Sequence, residues 1–334
     1  MAKRITGVGI DVGSKLFHVA FDGGNQINEF ENSLRGRKLL IRHIKGHKGN
    51  LVVVLESTGP YGLDLALALH KAKRIDVRYV NPMAAKGYAK AGLVRAKTDR
   101  VDAHMLAQMA ADSRGVPWQP PSEHALGLRG ITRRVRRLIN DRTKEKNRLG
   151  STKAAGVLPT MLADDIQDSI TALDRRIERL RAAQLEFARS VPEVAAAIDL
   201  LCTIPGVAEN TAVEVLAELL CMPGDLTPKQ LVAQAGLDPR AKQSGMKDGP
   251  RRISKMGSKY LRAALHMAAI NGVLWCPEIK EFHRVLTKER NKKPLVAYVA
   301  IARKLLHTIH GMLRSETAFD ASRFYQPQRL KAAA

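Results

Sequence analysis

Apolar and polar positions change period along this chain, and the change divides it. Val8 to Asp11 is a short apolar strand that ends in a carboxylate. Leu16 to Phe21 and Gln26 to Phe30 read as two further strands, separated by the turn Asp22-Gly23-Gly24-Asn25. Leu34 to Ile44 carries helical spacing. Leu51-Val52-Val53-Val54-Leu55 is an unbroken apolar run, as a strand covered on both faces requires. Pro60 opens a helix to about Lys73. Val77 to Val80 is a strand stopped by Asn81-Pro82, and a last helix starts near Asp99 and runs to about Asp112. The order βββαβαβα predicts a mixed sheet with helices packed on it, an α/β domain over residues 1–115.

Val116-Pro117-Trp118-Gln119-Pro120-Pro121 is a stiff linker that ends this domain. Beyond it the pattern is helical. Leu128, Ile131, Val135 and Leu138 form one stripe; Ile166, Ile170, Leu173, Ile177, Leu180, Phe187 and Val191 form a second. Two long amphipathic helices joined near Gly156 to Pro159 predict a coiled-coil arm over residues 116–192, whose stripes offer a seam between copies. The plainer reading is a helical hairpin packed on its own domain. Residues 193–326 predict an all-α domain, with helices to about Leu220, at Pro228 to Ala235, at Lys259 to Val273 and at Leu295 to Leu313. Leu237 to Gly257, rich in Gly, Pro, Lys and Arg, reads as loop.

Charge narrows the function. The 334 residues carry a formal net charge of +23, with a sequence pI of about 10.2. The physical partner for such a surplus is a polyanion, because each phosphate neutralised releases a condensed counterion. No apolar run reaches the roughly 18 residues of a membrane span, and no signal-peptide pattern is present. Cys202, Cys221 and Cys276 are isolated, which argues against a zinc module and fits a reducing cytoplasm. His43 and His47, flanked by Lys45 and Lys48, read as a basic solvated face rather than a metal pair.

In a chain this basic, carboxylates at strand ends stand out. Asp11 ends the first strand and Glu56 follows Leu55. Asp99 and Asp102, at i and i+3, share one helix face. Phosphodiester chemistry uses oxygen ligands for Mg²⁺, and these carboxylates are of the right type and number. The plainer reading makes Asp99 the cap of its helix and pairs Glu56 with a base.

The surrounding motifs sharpen this. Gly9-Ile10-Asp11-Val12-Gly13-Ser14-Lys15 resembles the first strand of the ribonuclease-H-like, RuvC-type nuclease fold. Glu56-Ser57-Thr58-Gly59-Pro60-Tyr61, Val80-Asn81-Pro82 and Lys97-Thr98-Asp99-Arg100-Val101-Asp102-Ala103 resemble segments of the insertion sequence 110 (Piv/MooV-like) DEDD transposases. Ile204-Pro205-Gly206-Val207 with Thr211-Ala212 looks like the family's helix-hairpin-helix-like element. Ala235-Gly236-Leu237-Asp238-Pro239, Ser244-Gly245, Ile253-Ser254-Lys255-Met256-Gly257 and Leu261-Arg262 resemble its second block. The resemblance spans about Val8 to Arg323 and is loosest between Met246 and Arg252.

The resemblance implies a Mg²⁺ site of Asp11, Glu56, Asp99 and Asp102, and a serine nucleophile that maps to Ser244, with Ser254 and Ser258 as rivals. It implies a transposase that recombines donor and target DNA, guided by a structured (bridge) RNA from its element, acting as a dimer or tetramer in the cytoplasm at the nucleoid. Nucleic-acid contacts are expected from Arg133, Arg136 and Arg137 on the arm, and from Lys242, Lys247, Arg251, Arg252 and Lys255 around Ser244. Aromatic residues are only 4% of the chain. Base stacking is therefore scarce, as suits a protein that leaves sequence reading to a nucleic-acid guide. Two alternatives stay open: a Holliday-junction-type endonuclease with water as nucleophile, and a non-catalytic nucleic-acid scaffold.

Overall fold

The computed structural model describes residues 5–57, 59–93, 98–155, 159–240, 243–244, 247–248 and 252–326; of residues 60, 243, 244, 247 and 248 only the backbone is described. The chain divides into two compact units, Met1–Pro120 and Pro121–Ala334.

The first unit runs β1 (Ile5–Val12), β2 (Leu16–Phe21), β3 (Ile27–Glu31), α1 (Leu34–Lys45), β4 (Asn50–Glu56), α2 (Gly59–Lys71), β5 (Ile75–Val80), α3 (Pro82–Ala91) and α4 (Asp99–Ala111). The sheet order is β3-β2-β1-β4-β5. β1, β2 and β3 are antiparallel neighbours, while β4 runs parallel to β1 and β5 parallel to β4. This mixed sheet is consistent with the RuvC-like architecture of the resemblance. Helix α3 is an addition to the expected order. Asn81 and Pro82 look like a stop, yet Asn81 accepts from the Met83 N–H at 2.8 Å and Pro82 opens the helix, so the same residues end a strand and cap a helix.

Alternation sorts the sheet into two faces. Val8, Ile10, Phe17, Val19, Val53 and Leu55 pack with Leu40 and Ile44 of α1 and Leu65 and Leu69 of α2. Val52, Val54 and Ala20 face the other way, toward α4. His43 and His47 correct the expectation of a solvated face: His47 stacks on Phe21 at 4.0 Å, and His43 lies edge-on to Phe21. Burial, and to a smaller degree His47, hold the His43 imidazole below its ordinary pKa. Within the linker, Trp118 is held on the sheet of the first unit. The Trp118 N–H donates to the Val77 carbonyl at 2.8 Å, and its ring meets Tyr79.

The second unit opens with α5 (Glu123–Ala155) and α6 (Thr160–Arg189), of 33 and 30 residues. They are antiparallel: Thr132 meets Gln184, and ten residues further along α5 Arg142 meets Asp174, ten residues back along α6. The two apolar stripes therefore face each other within one chain. The seam also holds a buried polar pair that the stripe reading omits. Gln184 donates to Thr132 Oγ1 at 2.6 Å, and that hydroxyl donates to the Leu128 carbonyl.

There follow α7 (Pro192–Cys202), α8 (Glu209–Leu219), α9 (Pro228–Ala235), the two-residue strands β6 (Pro239–Arg240), β7 (Gln243–Ser244), β8 (Lys247–Asp248) and β9 (Arg252–Ile253), then α10 (Lys259–Trp275), α11 (Pro277–Arg284), a π-helical turn (Val285–Glu289), α12 (Pro294–Ser315) and α13 (Ala321–Phe324). The stretch expected as loop thus contains β6 paired with β9 and, within it in sequence, β7 paired with β8. A single apolar core joins α7, α8, α9, α10 and α12. The Pro205-Gly206 turn is held in it. Gly206 has φ +86°, and a Cβ there would lie 2.7 Å from the Asn271 backbone. This turn packs on α10, as a helix–helix corner does. Among the described residues no helix is long and apolar enough to cross a membrane.

Candidate metal centre and serine block

Two glycines set the geometry of the acidic cluster. A Cβ on Gly7 would fall 2.5 Å from the Ala107 carbonyl oxygen, and one on Gly9 would fall 2.1 Å from that of Ala103. Lacking both, β1 lets α4 lie directly on its backbone. Two strand residues advance about 6.7 Å, and four helix residues about 6 Å. One step beyond Gly9 and Ala103 therefore brings Asp11 to Asp99.

Sheet register adds the neighbours. His18 is paired directly with Asp11 across the β1–β2 hairpin. The β1–β4 register, with Ile10 beside Leu55, carries Asp11 level with Glu56. Glu56 has the parity of Val52 and Val54, which face α4. His18, Asp11 and Glu56 so lie side by side on one face, with the first turn of α4 over them. That turn is capped by Thr98, whose hydroxyl accepts from the Val101 N–H. Asp99 is not its cap, so that plainer reading falls.

Electrostatics report the same convergence. The Asp11 carboxyl is pushed up to about 6, first by burial, then by the charges of Asp99 and Asp102; Glu56 adds to the rise and His18 opposes it. Clustered carboxylates hold negative charge that a divalent cation would relieve. Oxygens of Asp11 and Asp99 and a ring nitrogen of His18 lie within 4.8 Å of one another. This set of donors fits a divalent cation. Sequence reading missed His18. The signal was the short Gly13-Ser14-Lys15 turn, closed by Gly13 N–H to the Leu16 carbonyl, which fixes the residue opposite Asp11.

In the second unit, Ser244 lies on β7, its backbone paired with Lys247 on β8. Lys242 and Arg251 fall outside the described residues. Arg252 and Lys255 are exposed at the base of this block. The rival serines are both committed to structure. Ser254 donates to the Asp238 carboxylate and accepts from the Met256 N–H. Ser258 caps α10 and donates to Glu218 at 2.7 Å. Arg262 donates to the carbonyls of Ala235 and Gly257, both at 2.9 Å, closing the base of the block.

The arm arginines separate. Arg133 makes a two-bond fork to Glu218, at 2.8 and 2.9 Å, and Arg136 pairs with Glu214. Glu218 is 3% exposed. These two guanidiniums hold α5 against α8, which leaves them poorly placed for phosphate. Arg134 and Arg137 are exposed.

Comparison with known proteins agrees with these features. Residues 8–152 match the DEDD transposase model of the IS110 type, and residues 198–284 match a second model, the transposase IS116/IS110/IS902 family. Pilin gene-inverting proteins of Moraxella bovis and Moraxella lacunata are each 32% identical over 336 residues, covering 94% of this chain and 98% of the relative. The chain belongs to the IS110 family of transposases. It is therefore a DNA-processing enzyme, of a family that typically uses a divalent metal. The first matched segment holds Asp11, Glu56, Asp99 and Asp102; the second holds Ser244, Ser254 and Ser258.

Proposed function

We propose that this IS110 transposase cleaves and rejoins DNA through a Mg²⁺ site of Asp11, Glu56, Asp99 and Asp102, with Ser244 as nucleophile and a structured RNA from its own element as guide. The observation that carries the reading is the placement of Glu56 and the first turn of α4 beside Asp11 by sheet register and by Gly7 and Gly9; burial first, and then the neighbouring carboxylates, push the Asp11 carboxyl up to about 6. Bound there, Mg²⁺ would supply charge neutralisation at the scissile phosphate. The Ser244 oxygen bonds to phosphorus as the bond from phosphorus to a deoxyribose oxygen breaks, and the hydroxyl proton ends on the departing strand. Reversal by a new strand's hydroxyl rejoins DNA without an external energy source. A buried or locked serine is unsuited to that exchange, and the structural ties of Ser254 and Ser258 favour Ser244.

Arg137, Lys242, Lys247, Arg251, Arg252 and Lys255 are proposed as phosphate contacts. A homo-oligomer, dimer or tetramer, goes with strand exchange, which needs two DNA partners held at once. The parts 1–115, 116–192 and 193–326 serve as metal domain, arm and serine domain, and the protein works on cytoplasmic, nucleoid DNA. An endonuclease with water as nucleophile is the second reading, since the metal site alone would serve it.

The test is a covalent adduct. Protein is incubated with Mg²⁺, DNA carrying the element's ends, and RNA transcribed from the non-coding stretch beside the reading frame. A protein–DNA adduct is expected, lost in Ser244→Ala and Asp102→Asn and kept in Ser254→Ala. Cleavage without an adduct would favour the endonuclease, and an adduct in Ser244→Ala would overturn the nucleophile assignment.

A further inference from the structure

His18 has no place in the four-carboxylate reading, yet the fold puts it at the centre. It stands opposite Asp11 on β2, two residues from Ala20, and Ala20 packs with Ala103 and Ala107 under α4. An apolar residue would suit that face. The His18 side chain is 14% exposed instead, and its Nδ1 is closed off from solvent without a hydrogen bond to any of the described residues. An imidazole nitrogen buried in this way is costly unless something binds it. Nδ1 lies 3.9 Å from an Asp99 oxygen. The other ring nitrogen, Nε2, lies 3.8 Å from Glu29 Oε1 on the neighbouring strand, where Glu29 is His18's register partner. Arg100 stands 3.9 Å from the same Glu29 oxygen.

A carboxylate on one ring nitrogen and a cluster of anionic oxygens beside the other is the arrangement that orients a metal-bound histidine. In such sites the outer carboxylate takes the N–H, fixes the tautomer and turns the free lone pair toward the ion; Glu29, at 3.8 Å, stands beside Nε2 short of a hydrogen bond and would close on it as the ion binds. We propose that His18 is a nitrogen ligand of the divalent cation held by Asp11 and Asp99, with Glu29 as the carboxylate that positions its ring. This rests on the reading of the acidic cluster as a metal site. An imidazole donor is softer than a carboxylate. It favours first-row ions over Mg²⁺, and Mn²⁺, the one of these closest to Mg²⁺ in its taste for carboxylates, accepts such a nitrogen more readily than Mg²⁺ does.

The experiment uses the full chain with Mn²⁺ alone as probe. Pulsed electron paramagnetic resonance of the bound ion should show coupling to a directly bound nitrogen, and the coupling should change signature when histidine is ¹⁵N-labelled. In His18→Asn the coupling should vanish and Mn²⁺ affinity should fall by about tenfold or more, with Mg²⁺ affinity falling less. Glu29→Gln should keep the coupling and weaken Mn²⁺ by about tenfold. Mn²⁺ that binds the wild-type chain and is weakened by Asp102→Asn, but shows no nitrogen coupling, would leave the carboxylate site standing and remove His18 from it. Coupling that persists in His18→Asn would have the same consequence. No Mn²⁺ binding sensitive to Asp102→Asn would overturn the carboxylate reading and the ligand role together.

Discussion

Asp11 sits inside a five-stranded sheet, level with His18 on one side and Glu56 on the other, with a helix N-terminus laid over it. Ser244 sits on a two-residue strand whose backbone partner is Lys247, fourteen positions before the cap of α10. The first site is fixed by register. Every neighbour is set by ladder hydrogen bonds and by glycines that admit α4. The second is fixed at its base, where Ser254, Asp238, Arg262 and Gly257 tie the ends of the block together. The contrast teaches how chemistry can be divided. A cluster of like charges needs a rigid frame to hold it against repulsion. On the proposed reading Ser244 must engage a strand and then release it, and the two-residue strand β7 is a short support suited to that exchange.

The largest effect expected is on the frame of the serine block. Glu218→Ala removes the partner of Arg133 and Ser258 from a buried site and should destabilise the second unit by about 3–5 kcal/mol, read by denaturant unfolding. Mn²⁺ affinity at the carboxylates should not change. A matching loss of metal binding would break the comparison, since one region would then depend on the other.

Next is Gly9→Ala. The added methyl would meet α4 backbone at 2.1 Å, so the helix must shift. We expect a loss of about 2–3 kcal/mol in stability and weaker Mn²⁺ binding, because the shift carries Asp99 and Asp102 from Asp11. Unchanged metal affinity would mean that α4 does not set the site.

A smaller effect is expected from pH. Folded Asp11 keeps its proton to about pH 6, against an ordinary value of 3.8. Between those values the folded state binds more protons than the unfolded state. The stability from this group is therefore fully present below pH 3.8 and lost as pH rises through about 6. With chelator present, about 1 kcal/mol should be lost over that range, allowing for partial solvent screening. Asp102→Asn, which removes one repelling charge, should flatten the change in melting temperature. A steeper change in the variant would contradict the shared electrostatics.

The smallest effect concerns the arm. Arg137→Gln should reduce the slope of log affinity against log salt for duplex DNA by roughly one unit or less. Arg136→Gln should instead lower stability, because its guanidinium is paired with Glu214. A reduced salt slope in Arg136→Gln with stability intact would reverse that division.

Much of the first unit was legible because strand and helix periods are local. The Val-rich run of β4, the helix beginning at Asp99 and the turn at Asp22-Gly23-Gly24-Asn25 between β2 and β3 all follow from neighbours in sequence. What was not legible depends on tertiary packing. Asn81-Pro82 serves as strand end and helix cap at once. His43 and His47 look solvated until Phe21 is placed beneath them. Gln184 reads as a polar interruption until Thr132 is set opposite. Arg133 and Arg136 look like phosphate ligands in a basic run, and only the approach of α8 shows their acidic partners. His18 escaped because a lone histidine carries no motif.

Titrating Mn²⁺ into the full chain by calorimetry tests most directly whether the four carboxylates act, as proposed, as one divalent metal site. One class of saturable binding is expected in the wild-type protein, weakened by about tenfold or more in each of Asp11→Asn and Asp102→Asn with folding retained. Equal Mn²⁺ affinity in wild-type and both folded variants would contradict it.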